Sequence, residues 1–365
     1  MPISAVDAIS PAFHHTKQQL FQPFRFWQWA RLALVGLMAG EVSSGGGCNS
    51  FQVPQMHGGG QRFATDSVLP AADPMLYAGM VALLVVLGVI FWLLLMYTMS
   101  VMRFVLFDSV VAKECHIRAS WNQRQRPGLR YFGWTLLMFL CMTAGLTILI
   151  GIPAGIAFSL GWLKNPSQHM APLILGGLVL FFLFAAFIII FLVVMVMTKD
   201  FVVPQMALED IGVIEGWRRL WVGIKTDKGG YAAYIGMKLL MAIGAGMVLG
   251  IVAFIVILLI LIPLGALGVI AIITGKTAGF TWNAYTITTA VLAGAVCLAI
   301  IFYVLALISV PAIVFFPAYA IHFFASRYRP LDAALHPLAQ ALPVLELHPP
   351  AEPPPLPPDF SPSPS

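Results

Sequence analysis

Five stretches of this chain run without a formal charge for longer than a helix needs to cross a lipid bilayer. There are 29 uncharged residues between Asp73 and Arg103, 33 between Arg130 and Lys164, and 34 between Lys164 and Lys199. A further 37 lie between Lys238 and Lys276, and 50 between Lys276 and Arg327. About 20 apolar residues suffice to cross ~30 Å of hydrocarbon as a helix. The runs are rich in Leu, Ile, Val, Phe and Ala without period-two alternation, so they read as helices rather than barrel strands. Only 10% of the 365 residues are charged, against the roughly 25% that keeps a soluble domain hydrated.

Spans are expected near 76–99, 133–158, 172–197, 233–260 and 285–309, with a sixth over 26–41 (FWQWARLALVGLMAGE). In the sixth, Trp27, Trp29 and Arg31 anchor an apolar stretch from Leu32 to Gly40; its shortness leaves a re-entrant or interfacial helix as the alternative. With six spans, sixteen of the twenty Lys and Arg residues share one side with both termini. Only Arg62, Lys164 and Lys276 fall on the other side, while Lys238 lies near the inner end of a span, where it can snorkel. Retention of positive charge makes that side cytoplasmic and the membrane the plasma (inner) membrane. The expected fold class is therefore all-α integral membrane, a bundle of about six transmembrane helices. Residues 1–25 form a cytoplasmic amphipathic segment and 26–330 the polytopic membrane domain. Residues 331–365, ending HPPAEPPPLPPDFSPSPS, are expected to be a disordered Pro-rich cytoplasmic tail.

The chain also repeats itself. One unit passes from a span through VMRFVLF (Val101 to Phe107) and a charged loop with Trp121 into a return span containing Ile152-Pro153-Ala154-Gly155. A second passes through VMTKDFVVP (Val196 to Pro204) and Trp217 into a return span containing Ile262-Pro263-Leu264-Gly265. The Phe-to-Trp interval is 17 residues in one and 16 in the other. Both units enter and leave in the same sense, which predicts a parallel two-helix internal repeat; a truncated third copy begins at Val314. Pro153 and Pro263 are expected to break their helices, because proline removes an amide hydrogen and clashes with the preceding turn. Gly36 and Gly40, and the ladder Ala242, Gly246 and Gly250, have the small-xxx-small spacing that lets helix backbones approach. In 205–224 the residues Ile211, Ile214, Trp217 and Trp221 form the apolar stripe of a cytoplasmic amphipathic helix, opposite Glu209, Asp210, Glu215, Arg218 and Arg219.

No catalytic, cofactor or metal constellation emerges. There is no His-Glu-x-x-His and no Gly-x-Ser-x-Gly, and the P-loop-like Gly275-Lys276-Thr277 has Ile270 where an earlier glycine is required. The histidines are scattered, and Cys48, Cys115, Cys141 and Cys297 have no Cys-x-x-Cys spacing. The five long spans hold no Asp, Glu or His, so a proton-coupled pathway is not expected.

The opening ISPAFHHTKQQLFQPFRFWQWARLALVGLMAG, the Gly-rich SSGGG and HGGG, and the block DFVVPQMALEDIGVIEGWRRLW resemble a family of prokaryotic polytopic membrane proteins of unknown function. More distantly they are similar to the membrane domain attached to some glycerophosphodiester phosphodiesterases. The resemblance covers about residues 4–330 and implies no activity, because the His-Arg pair of that catalytic domain has no counterpart here. The expected function is a non-enzymatic structural, scaffolding or accessory component of the cell envelope, without cofactor. Its partners are membrane lipids and a protein bound through cytoplasmic loops or the Pro-rich tail, not nucleic acid. The alternative is a channel or carrier for a small or lipid-like molecule.

Overall fold

The computed structural model describes residues 3–22, 24–41, 74–162, 169–277 and 284–336. In these residues the fold is all-helical, with no strand. Helix α1 (Ile9–Phe21) and α2 (Phe26–Met38) precede two long helices, α3 (Pro74–Val111) and α4 (Ile117–Ser159). Helix α5 (Met170–Met197) runs on through a π-helical turn (Thr198–Val202) into the short α6 (Val203–Glu209). Helix α7 (Val213–Thr226), the long α8 (Lys228–Thr277) and α9 (Ala284–Ala325), and α10 (Arg329–Leu335) complete the described chain.

Among the described residues five helices are long and apolar enough to cross a membrane: those over Ala78–Val111, Ile117–Ser159, Met170–Glu209, Lys228–Gly275 and Tyr285–Ala325. The sixth span expected over 26–41 is not one of them. At 13 residues α2 is ~20 Å long at the helical rise per residue, well short of the hydrocarbon core. Its start and its end also both meet the charged end of α3. Gln28 Nε2 donates to the Lys113 carbonyl at 2.7 Å, and Arg103 Nη2 donates to the Ala39 carbonyl at 3.0 Å.

Packing is concentrated at that charged end. The buried core draws on Leu32 and Val35 of α2, Phe104 and Val110 of α3, Phe201 and Met206 beyond α5, Tyr234 of α8 and Tyr319 and Phe323 of α9. By contrast, four of the five spans have no buried residue in their most apolar window, and the α9 window is only 6% buried. Among the described residues contacts continue part-way out along α3, α4 and α5, where Trp92 lies 4.9 Å from Phe139 and Gly145 faces the Phe187 ring. Beyond Met241 and before Tyr303, α8 and α9 present a mostly exposed apolar surface.

The prolines do not break their helices. Pro153 lies inside α4 and Pro263 inside the 50-residue α8, both continuous. Each costs one intrahelical hydrogen bond, but the flanking apolar residues favour the helix on both sides, since apolar surroundings leave no other partner for backbone groups. The Pro-rich tail also starts later than 331, because α10 docks with Leu331 fully buried; the remainder, 337–365, lies outside the described residues.

The small-residue positions divide. A β-carbon at Gly36 would come within 2.6 Å of the Ile313 side chain, so this glycine sets the approach of α2 to α9. Gly40 has a different task. With φ +74° it turns the chain past α2, and the Glu41 amide donates back to the Gly36 carbonyl at 2.9 Å, which is the Schellman geometry that glycine favours. Along α8, Ala242 and Gly246 are half-buried, whereas Gly250 has no neighbour within 4 Å of where a β-carbon would stand. Gly36→Leu is therefore expected to cost about 1–3 kcal/mol by overpacking and to lower the unfolding midpoint in detergent. Gly250→Leu is expected to leave that midpoint unchanged; equal effects would refute the division.

Candidate functional site

Five charged side chains converge where α2, α3, the π-helical turn and α8 meet. The Gly40 turn brings Glu41 back over the end of α2, where it is 4% exposed. Lys199 Nζ donates to its carboxylate, and Arg103 of α3 stands 3.9 Å away. Arg103 also donates to the Tyr131 hydroxyl of α4 at 2.5 Å, with its guanidinium over that ring at 5.5 Å. Asp200, 4% exposed, accepts from Lys238 Nζ and, at 2.8 Å, from the Tyr234 hydroxyl of α8. Tyr234 in turn stacks on Tyr319 of α9, ring centroids 5.1 Å apart. The π-helical turn has a local consequence here. Its wider winding carries Lys199 and Asp200, neighbours in sequence, to two different partners, Glu41 and Lys238.

The three cations and two carboxylates leave one positive charge in excess. Beside them is a cavity of about 30 Å³ lined by Glu41, Arg103, Lys199 and Asp200 with Leu106 and Pro317 among its apolar walls. That is room for a water molecule, and the buried Arg103 Nε has no hydrogen-bond partner. Burial pushes the Glu41 carboxyl up, but Lys199 and Arg103 pull it further the other way, so it ionises below the usual carboxylate range.

Other polar contacts tie the short helices to this centre. Arg124 holds Asp108 with two bonds of 2.8 and 2.7 Å and reaches the Ala207 carbonyl. His15 Nε2 lies 2.8 Å from the Val110 carbonyl, which can only accept, so Nε2 carries the hydrogen. His15 Nδ1 then accepts from His322 Nε2 at 3.3 Å. Burial lowers the His15 pKa, so this contact stabilises fully above about pH 6.5 and weakens as pH falls below it.

The stripe of the expected amphipathic helix is split. Asp210, at φ 51°, ends α6 in a left-handed turn, so 205–224 is two helices rather than one. On α7, Val213, Gly216 and Leu220 are buried, and Trp217 Nε1 donates to Thr198 at 3.0 Å. Ile211 is half-buried, while Ile214 and Trp221 are 79% and 54% exposed. Nothing in the residue spacing pointed to the five-charge centre. Lys238, a lone charge inside an apolar run, was its one visible sign.

A family model matches residues 3–334. The chain belongs to DUF7544, a family of unknown function. No curated protein and no solved structure matches it. The membership agrees with the expected domain of unknown function, whereas the likeness to the phosphodiesterase membrane domain finds no support. For this DUF7544 chain the buried charges are the feature to test. Asp200→Asn is expected to destabilise it by about 3–5 kcal/mol, because Lys238 is left buried without its counter-charge. Asp200→Asn with Lys238→Met should recover most of that loss in a detergent unfolding titration. Glu41 gives the pH arm. Since its folded pKa is depressed, its contribution is present above its unfolded value near 4.5 and lost as pH falls. Glu41→Gln should flatten that acid limb of the stability curve.

Proposed function

We propose that this protein is a non-enzymatic, multi-pass component of the plasma (inner) membrane with a structural, scaffolding or accessory role. The observation that carries the reading is the contrast between the two ends of its long helices. Short helices and buried ion pairs lock one end, while the apolar lengths beyond are left uncovered by the chain itself. A rigid platform joined to uncovered apolar helices suits lateral assembly in a bilayer, where helices associate by packing rather than by the hydrophobic effect.

Both termini are assigned to the cytoplasmic side. Ile3 and Ala5 meet Ser326 and Tyr319 at the end of α9, which supports a common location for the first residues and the last helix. With α2 too short to cross, the sixth crossing that a common side for both termini requires is not among the described residues. The parallel two-helix repeat is supported by matching pairs. Arg103 and Phe104 meet Tyr131 of the return helix in the first unit, as Asp200 and Phe201 meet Tyr234 in the second. A protein partner would use the cytoplasmic loops or the Pro-rich tail. The carrier reading draws on one specific observation: the apolar faces of α8 and α9 beyond Tyr234 and Tyr319 are exposed, a surface that a lipid-like molecule would cover.

Native mass spectrometry of the protein, extracted gently from its own membrane, tests the choice. A defined oligomer or a stoichiometric protein partner is expected. A single chain carrying one recurrent small molecule would replace the scaffold with the carrier.

A further inference from the structure

At the elbow between α1 and α2 a polar pocket of about 460 Å³ opens against the end of α3. We propose that this pocket binds the headgroup of an anionic phospholipid bearing a headgroup hydroxyl, an inference that rests on the membrane reading above. Arg25 and Lys113 supply two cations and Glu114 one anion, so the lining carries one net positive charge. That matches the single negative charge of a phosphodiester. The amides of Gln18, Gln22 and Gln28 also line it, a donor-rich setting for phosphate oxygens.

Two features mark the pocket as built rather than incidental. Lys113 has φ 58°, a left-handed conformation that a β-carbon disfavours. It is held there by Gln28 Nε2 donating to its carbonyl at 2.7 Å and by its own Nζ donating to Gln18 Oε1 at 2.9 Å. Gln19, 5% exposed, spends its amide nitrogen on the Ser109 carbonyl at 2.8 Å, and its Oε1 has no partner. That orphan acceptor and the Glu114 carboxylate call for a donor on the ligand, which a headgroup hydroxyl supplies.

The acyl chains identify the source as a bilayer lipid. Phe21, Phe24, Phe26 and Trp27 are 53–76% exposed on the same elbow, with Arg25 among them. Aromatic rings beside basic residues suit the headgroup–acyl boundary, where ring and chain share one depth. Helix α2 thus becomes an interfacial element rather than a crossing, and its aromatic entry is the lipid-facing wall of the pocket.

The full-length protein in detergent would be titrated with phosphatidylglycerol, with phosphatidylcholine and with free glycerol phosphate, and bound lipid read by native mass spectrometry. Phosphatidylglycerol should be retained over phosphatidylcholine by about tenfold or more, the order that two nearby cations confer. Arg25→Gln with Lys113→Gln should abolish that preference, and Arg25→Gln alone, on an exposed residue, should weaken it with the unfolding midpoint unchanged. Arg126→Gln with Arg218→Gln removes the same charge elsewhere and should leave the preference intact. Equal retention of both lipids, or the same loss in both double variants, would overturn the pocket. Glycerol phosphate binding as tightly as the lipid would overturn the bilayer source. Release of the wild-type protein from membranes by alkaline carbonate would instead overturn the membrane reading, so the two failures are separable.

Discussion

A charge inside an apolar assembly is tolerated only with a counter-charge, and this protein gathers five, with Glu41, Asp200 and Lys238 buried and Arg103 and Lys199 partly buried. Lys238 sits within the first turns of a helix whose next 37 residues carry no charge. Left alone it would destabilise the start of α8; with Asp200 and Tyr234 around it, it fixes that start against the end of α5. Lys199, one residue before Asp200, turns instead to Glu41 and so to Arg103. The same set of charges therefore joins α2, α3, α5 and α8, and the Tyr234–Tyr319 stack extends it to α9. The aromatic layer of Phe201, Tyr231, Tyr234 and Phe323 fills the adjoining space, with ring centroids 4.7–6.0 Å apart. Pairing supplies specificity of register here more than net stability, because desolvation offsets most of the Coulomb gain.

That arrangement explains why order is concentrated at one end. Hydrophobic burial gives no driving force between helices in a lipid-like solvent, so apolar lengths gain by association only through close van der Waals fit or hydrogen bonds. The apolar lengths of α8 and α9 have neither within this chain: Gly244, Gly250, Gly265 and Gly294 all face open space. Close fit at Gly36 against Ile313, Gly128 against Val101 and Gly216 against Val202 lies at or beside the charged end, and Gly145 against Phe187 lies part-way along α4 and α5. Small residues beyond that region are thus available to surfaces other than those of the same chain.

The long helices were legible because an uncharged run of some thirty residues has few physical solutions. Their number was less so. Trp27, Trp29 and Arg31 signal an interface equally well for a helix that crosses and for one that lies across the ends of its neighbours. Only the contacts of Gln28 and Ala39 with the same stretch of α3 distinguish the two. Pro153 and Pro263 sit inside continuous helices for a related reason: in the proposed bilayer a rule drawn from water would overstate the cost of proline, because the backbone would have no solvent to turn to. The split of the amphipathic segment at Asp210 rests on a left-handed residue that is not glycine, which composition does not announce.

The charge centre itself was hidden by distance along the chain. Glu41 pairs with Lys199 across 158 residues, and Asp200 with Lys238 across 38. Taken span by span, Lys238 reads as a snorkelling residue and Lys199 as one of sixteen cations retained on one side. The better inference starts from cost. A lysine about three turns inside an apolar helix either reaches water or finds a carboxylate, and the apolar runs that end in an acid within three residues lead to Glu41 and Asp200. Gly40 belongs to the same argument: a glycine one step before a lone glutamate, at the end of a short apolar helix, marks a chain reversal that returns the carboxylate to the helix end. Small-residue spacing and helix-terminating geometry compete for the same glycine, and here the charge that follows it decides between them.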